Sequence, residues 1–244
     1  MVFSSTTNKN GIIQMIEQTT NLGDAQISGV AIKLAYFTNL VNQWAQIVHQ
    51  YIRQVSKEWQ FDDLNQTTLP TATTTLVDDQ RDYLVPTTLQ RVRGVEVLDS
   101  AGNYYSLFLM GKDDPALKNE KWQETSGIPS HYYMLGNSVM LYPAPDTAMV
   151  TAAAGLRLSF DRKLDLFTVS DTTQEPGFEE TYHSILYYGP SYEWASVQGV
   201  QHIAQHCLNM LGGFEGLNAL IKKHYSDRNE DDPAIITREH KSYA

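Results

Sequence analysis

The sequence predicts an α+β protein, a bundle of helices from both ends of the chain with an antiparallel β-rich insertion between them. Three observations lead there. A long apolar stripe at helical spacing occupies the first quarter of the chain, β-branched stretches with explicit turn signals fill the middle, and helical spacing returns from about residue 175. No strand–helix–strand alternation appears, so the sheet is expected to be antiparallel. The expected division is 1–69 and 166–226 for the bundle, 70–165 for the insertion and 227–244 for an extended C-terminal arm.

The elements follow in order. Asn10 can cap a short helix carrying Ile12, Ile13 and Ile16, with Gly23 as its stop. From about Val30 to Trp59 the residues Phe37, Val41, Trp44, Val48, Tyr51 and Val55 recur at steps of four and three, while Asn42, Gln43, Gln46, Gln50 and Arg53 are polar. That is an amphipathic helix with one buried stripe. Strands are expected at Thr73–Val77, Asp82–Val85, Arg91–Leu98, Tyr104–Met110, His131–Leu135, Ser138–Tyr142 and Ala154–Phe160, with a short helix or open loop from Asp113 to Glu124. Asp99 to Gly102 forms one inter-strand loop, and Gly136 with Asn137 a two-residue hairpin turn. A helix should start near Glu175, Pro176 and Gly177 and carry Phe178, Tyr182, Ile185 and Leu186, with a kink or break at Gly189–Pro190. Further helices are expected from Val200 to Leu211, ended by Gly212 and Gly213, and along Phe214, Leu217, Leu220 and Ile221.

Composition narrows the function. With 28 Asp and Glu against 18 Lys and Arg the net charge is −10, which leaves no basic excess for tight phosphate binding. The same field suits a surface past which nucleic acid slides without sticking. The single cysteine, Cys207, sits in an apolar helical stretch as a small buried hydrophobe, so no disulfide forms within the chain. Neither a secretion signal nor a membrane span is expected.

No catalytic, cofactor or metal residue is assigned. His202 and His206 stand four apart on one helix face, but two ligands do not make a zinc site, and no glutamate follows His202 directly. His183 has no fixed geometric relation to that pair. The carboxylate pairs Asp62–Asp63, Asp78–Asp79, Glu179–Glu180 and Asp231–Asp232 are adjacent residues, not two groups across a cleft. No Gly-x-Ser-x-Gly elbow and no phosphate loop is present. Tyr132, Tyr133 and Tyr142 could stack sugars, or serve as cross-strand packing partners.

One stretch carries a resemblance. Gly127-Ile128-Pro129-Ser130-His131-Tyr132-Tyr133, then Gly136 to Asp146 with Leu141-Tyr142-Pro143-Ala144-Pro145, then a strand to Phe160, resembles the head-to-tail adaptor (connector, or tail-tube-attachment) proteins of tailed bacteriophages. Upstream, Arg81 to Pro86 and Val92 to Asp99 are similar to that group's "D-Y-x-L-P" strand and the strand after it. Val85 stands where leucine is commoner, Ser159 and Phe160 replace an aromatic and basic ending, and Gly189–Pro190 interrupts a helix that is normally smooth.

The resemblance implies a structural virion protein and no enzyme: a neck ring of twelve copies at the head–tail junction, made in the host cytoplasm. Its partners would be the portal protein, tail-tube or tail-hub proteins, further copies of itself and genomic DNA in transit. No cofactor is implied. Ile235, Ile236 and Tyr243 are the expected partner-binding anchors of the arm, because apolar residues in a polar tail have little other use; the alternative is a merely disordered end. The alternative is a carbohydrate-binding or hydrolytic tail-associated protein.

Overall fold

The computed structural model describes residues 1–55, 68–111, 125–150 and 153–212, with 216, 219 and 221–223; Val55 is described in its backbone alone. The fold is α+β, 34% helical and 23% strand. The chain divides into two compact units, Met1–Asn65 with Leu164–Ala244, and Gln66–Lys163.

The first unit holds the helices α1 (Ile12–Thr19), α2 (Ala31–Val55), α3 (Ile185–Gln198) and α4 (Gln201–Met210). Helix α3 packs on each of the other three. The stripe foreseen on α2 is buried at Phe37, Val41, Trp44 and Val48, joined by Leu40, Ala45 and Ile52. Tyr51 is only half-buried, because Ile52 next to it lies closer to the centre of the apolar face. Residues 56–59 lie outside the described residues.

Asn10 does not cap α1. Gly11 takes the cap position, and the Val2 and Phe3 carbonyls accept from the Ile12 and Ile13 amides at 3.1 Å each, so the folded-back chain start does the work of a capping side chain. Nor does the helix reach Gly23, since Thr20 already ends it. The third helix does not begin near Glu175: residues Glu180–Tyr182 form one 3-10 turn, and α3 starts at Ile185.

Gly189 and Pro190 do not break α3, which runs as one helix to Gln198. Pro190 lies in its second turn, so its missing N–H costs the helix only the bond to the Leu186 carbonyl. The glycine has a separate reason. A Cβ on residue 189 would stand 2.6 Å from Trp44 Cε3 and closer still to Cδ2 and Cε2, so the indole of α2 occupies the space a side chain would need. Trp44 Nε1 then donates to Glu193 Oε1 at 2.8 Å, one turn further along α3. At its end α3 closes with Gly199 in the left-handed region (φ 73°) and the Val200 amide bonded to the Ala195 carbonyl at 2.8 Å.

Polar groups tie the loops of this unit to its helices. Glu17, buried on α1, accepts from the Ile27 and Ser28 amides at 2.8 and 2.7 Å and from Ser28 Oγ at 3.0 Å, which closes the turn between α1 and α2. Asn42 was expected on the solvent face of α2. Instead it donates to the Phe167 carbonyl and accepts from the Phe167 amide, both at 2.9 Å, while the Phe167 ring stacks on Phe3 at 4.8 Å. Chain start, α2 and the segment before α3 thus share one core. Of the last expected helix, Ile221 is helical and fully buried, and Phe214, Leu217 and Leu220 lie outside the described residues.

The second unit is two facing four-stranded sheets and one short pair. The first sheet has the order β1 (Thr71–Thr74), β10 (Leu156–Arg162), β3 (Leu89–Leu98), β4 (Tyr104–Ser106). The second has the order β2 (Asp82–Leu84), β8 (Ser138–Tyr142), β7 (His131–Leu135), β5 (Phe108–Leu109). Strands β6 (Ser126–Gly127) and β9 (Ala144–Pro145) form the pair. Val95, Val97, Leu156 and Leu158 of one sheet and Tyr83, Tyr132, Val139 and Leu141 of the other meet in a single core. The hairpin at Gly136–Asn137 joins β7 and β8 as expected, with Leu135 opposite Ser138.

The sheets are not wholly antiparallel, for β5 runs parallel to β7 and β6 parallel to β9. The cause is a strand that changes sheets. The Leu107 amide still bonds to Val95 of β3, whereas the Phe108 amide bonds to Ser130, so one extended segment leaves the first sheet at β4 and joins the edge of the second at β5. Its direction there is set by where it came from. The expected loop or helix over 113–124 lies outside the described residues.

The packing of Trp44 on residue 189 gives a direct test. Gly189→Ala should lower stability by about 2–3 kcal/mol in urea unfolding, by overpacking. Trp44→Leu should cost less in the Gly189→Ala background than alone, with a coupling on the order of 1 kcal/mol in the double-mutant cycle.

Candidate interaction surfaces

The candidate residues separate by burial. Cys207 is fully buried with Ala195, Ile203 and Ala204, and this burial pushes its thiol pKa up to about 11, so at neutral pH it is an inert packing group. His202 and His206 are both exposed on α4, and no group of three or more metal-ligating residues occurs among the described residues. Asp79 accepts from Ser126 Oγ at 2.7 Å and is an exposed turn residue; Asp62, Asp63, Asp231 and Asp232 lie outside the described residues. The arm anchors Ile235, Ile236 and Tyr243 also lie outside them.

The tyrosines do not make a sugar platform. Tyr132 and Tyr142 are 7% and 8% exposed, so neither ring offers a free face, and only Tyr133 is part-open. Other tyrosines hold backbone in place. The Tyr83 hydroxyl accepts from the Val77 amide at 3.0 Å, and Tyr105 donates to the Pro129 carbonyl at 3.0 Å.

His183, for which the sequence offered no setting, is buried between the 3-10 turn and α3. Its Nε2–H donates to the Phe178 carbonyl at 2.9 Å, its Nδ1 lies 3.2 Å from the Met1 amine, and its ring stands edge-on to Phe178 at 5.3 Å. Burial holds its pKa below the ordinary histidine value, only partly offset by the bond to Phe178.

The outer faces of the two sheets differ in chemistry. On the first sheet the row Thr73–Arg157–Glu96–Ser106 is polar, with Arg157 Nε donating to Glu96 Oε2 at 2.6 Å and its guanidinium 3.8 Å from the Tyr104 ring centroid. On the second sheet Leu84 and Leu135 flank Ser138 in one row, Asp82, Met140 and Tyr133 make the next, and Phe108 stands beside His131. Leu84, Leu135 and Phe108 are 79%, 57% and 71% exposed, well above what a solvated strand face needs to show. The alternation around buried Tyr83 puts Leu84 outward, a period-two signal carried by the sequence itself.

Charge is also unevenly shared. Seventeen of the 28 acidic residues but nine of the 18 basic ones belong to the helical unit, which therefore carries most of the net charge of −10. Among the described residues, no helix is long and apolar enough to cross a membrane.

The histidine sets a pH dependence. Because the folded-state pKa of His183 lies below the unfolded value near 6.5, the unfolded chain takes up the proton first as the solution is acidified. The stability from a neutral His183 is present above about pH 6.5 and is lost as pH falls toward the folded pKa. Unfolding curves from pH 8 to 5 should show this loss, and His183→Gln should flatten that part of the profile.

A family model described as SU10 adaptor protein matches residues 20–227, most of the chain and both of its units. No curated protein matches the chain.

Proposed function

The chain belongs to the SU10 adaptor protein family, structural phage proteins of the head–tail junction, and we propose on that premise that it is one subunit of the neck ring that joins the portal to the tail. The family match carries this reading. Adaptors of this kind work with portal and tail components, and the finer assignments are ours: a ring of twelve copies, seated on the portal, with the genome leaving through its centre.

In this reading the helices from both ends of the chain form one bundle, the helical unit surrounds the channel, and the β-rich insertion faces the tail or the outside. The charge distribution supports it, since the more acidic unit repels a passing polyanion and gives it no place to dwell. The exposed Leu84, Leu135 and Phe108 on the outer face of the second sheet support contact with other proteins at the β unit. Residues 227–244 act as an arm that orders on docking, with Ile235, Ile236 and Tyr243 as its anchors.

Electron microscopy of the purified chain, alone and mixed with the portal protein from the same phage, tests the reading. Closed rings on the portal, with few or none in the unmixed sample, are the expected result, and no association in either sample overturns it. The arm makes a separate prediction. Replacing Ile235, Ile236 and Tyr243 by Ala together should weaken retention on the portal by about tenfold or more, since two or three buried anchors carry that much. Unchanged retention would remove the arm from the interface.

A further inference from the structure

We infer that neighbouring copies meet through two uncharged helix stripes, α2 of one copy lying against α4 of the next. This rests on the ring reading above.

The first stripe is the outer face of α2. Ile32, Tyr36, Asn39, Gln43, Gln46 and Gln50 recur at steps of three and four, all are exposed, and all point away from the buried face at Val41, Trp44 and Val48. The 25-residue helix holds only two charged residues, Lys33 and Arg53, and both stand half-buried beside the stripe. The second is the outer face of α4. Gln201, His202, Gln205, His206, Asn209 and Met210 are exposed, and the helix has no Asp, Glu, Lys or Arg at all. Its buried residues Ile203, Ala204 and Cys207 pack with Ala195 of α3, so this stripe too is turned away from α3.

A helix face meant for water normally carries charge, and here the stripe from Ile32 to Gln50, about five turns of one helix, and the whole of another do not. Charge is instead depleted where proteins meet. The point is sharper in a chain of net charge −10 whose helical unit is the more acidic, because like-charged copies approach at lower cost where neither presents charge. Side-chain amides serve as both donor and acceptor, so rows of Gln and Asn satisfy one another across such a contact without an ion pair. Ile32 and Tyr36 on one stripe and Met210 on the other add apolar area. A contact between like stripes would pair two copies and leave the other stripe open. Unlike stripes cover both faces and pass the contact on from copy to copy, as a closed ring requires.

The test combines Gln46→Cys and Gln205→Cys in one chain, assembles it with the portal protein and treats the particles with a short bis-maleimide. Native Cys207 is buried and stays silent. A denaturing gel should show a ladder of covalent multimers from the double variant and only monomer from each single variant. Dimers from either single variant would mean that like stripes meet, and overturn the inference. Closed rings in micrographs with no ladder would overturn it too, and leave the ring reading standing. Absence of rings from the unsubstituted chain would sink both. As a second measure, Gln46→Glu with Gln205→Glu should cut ring yield at low salt at least about tenfold, and Gln46→Glu with Gln205→Lys should restore it; equal yields from the two pairs would count against the contact.

Discussion

The helical unit depends on an indole seated where a side chain is missing. Trp44 can lie against α3 because residue 189 is glycine, and its ring nitrogen reaches Glu193 because that residue follows one turn later. The contact brings the two ends of the chain together over a sequence separation of nearly 150 residues, so a large part of the loop-closure cost is met at one point. Pro190 belongs to the same arrangement. A bond is forfeited beside the place where Trp44 meets Gly189, and the helix holds because α1, α2 and α4 all bear on it.

The β unit solves a different problem. Two small sheets must share a core without leaving long open edges, and the segment from Tyr104 to Leu109 serves both by crossing between them. That crossing also explains why the expectation of a wholly antiparallel sheet failed. Alternation and turn residues report local pairing, and His131–Leu135, Ser138–Tyr142 and their two-residue turn were readable for that reason. A strand that changes partners halfway announces nothing locally, since every residue in it remains extended.

The same division runs through the candidate surfaces. The buried stripe of α2 and the burial of Cys207 followed from spacing and composition. Buried Glu17 and His183 and half-buried Asn42 did not, because a polar residue leaves solvent only when a distant backbone group completes its hydrogen bonds. Asn42 on the polar side of a helix looks solvated until Phe167 is brought to it. The uncharged character of α2 and α4 was legible throughout, as a simple scarcity of Asp, Glu, Lys and Arg, but scarcity acquires meaning only once the exposed positions are known.

At the base of the β unit, Arg162 donates to the Thr68 carbonyl, and the Phe160 amide bonds to the carbonyl of Pro70 at 3.0 Å. The incoming and outgoing chains of the insertion therefore run side by side where it begins. A segment whose two ends already touch is easily exchanged in evolution, since any replacement need only bring its own ends equally close.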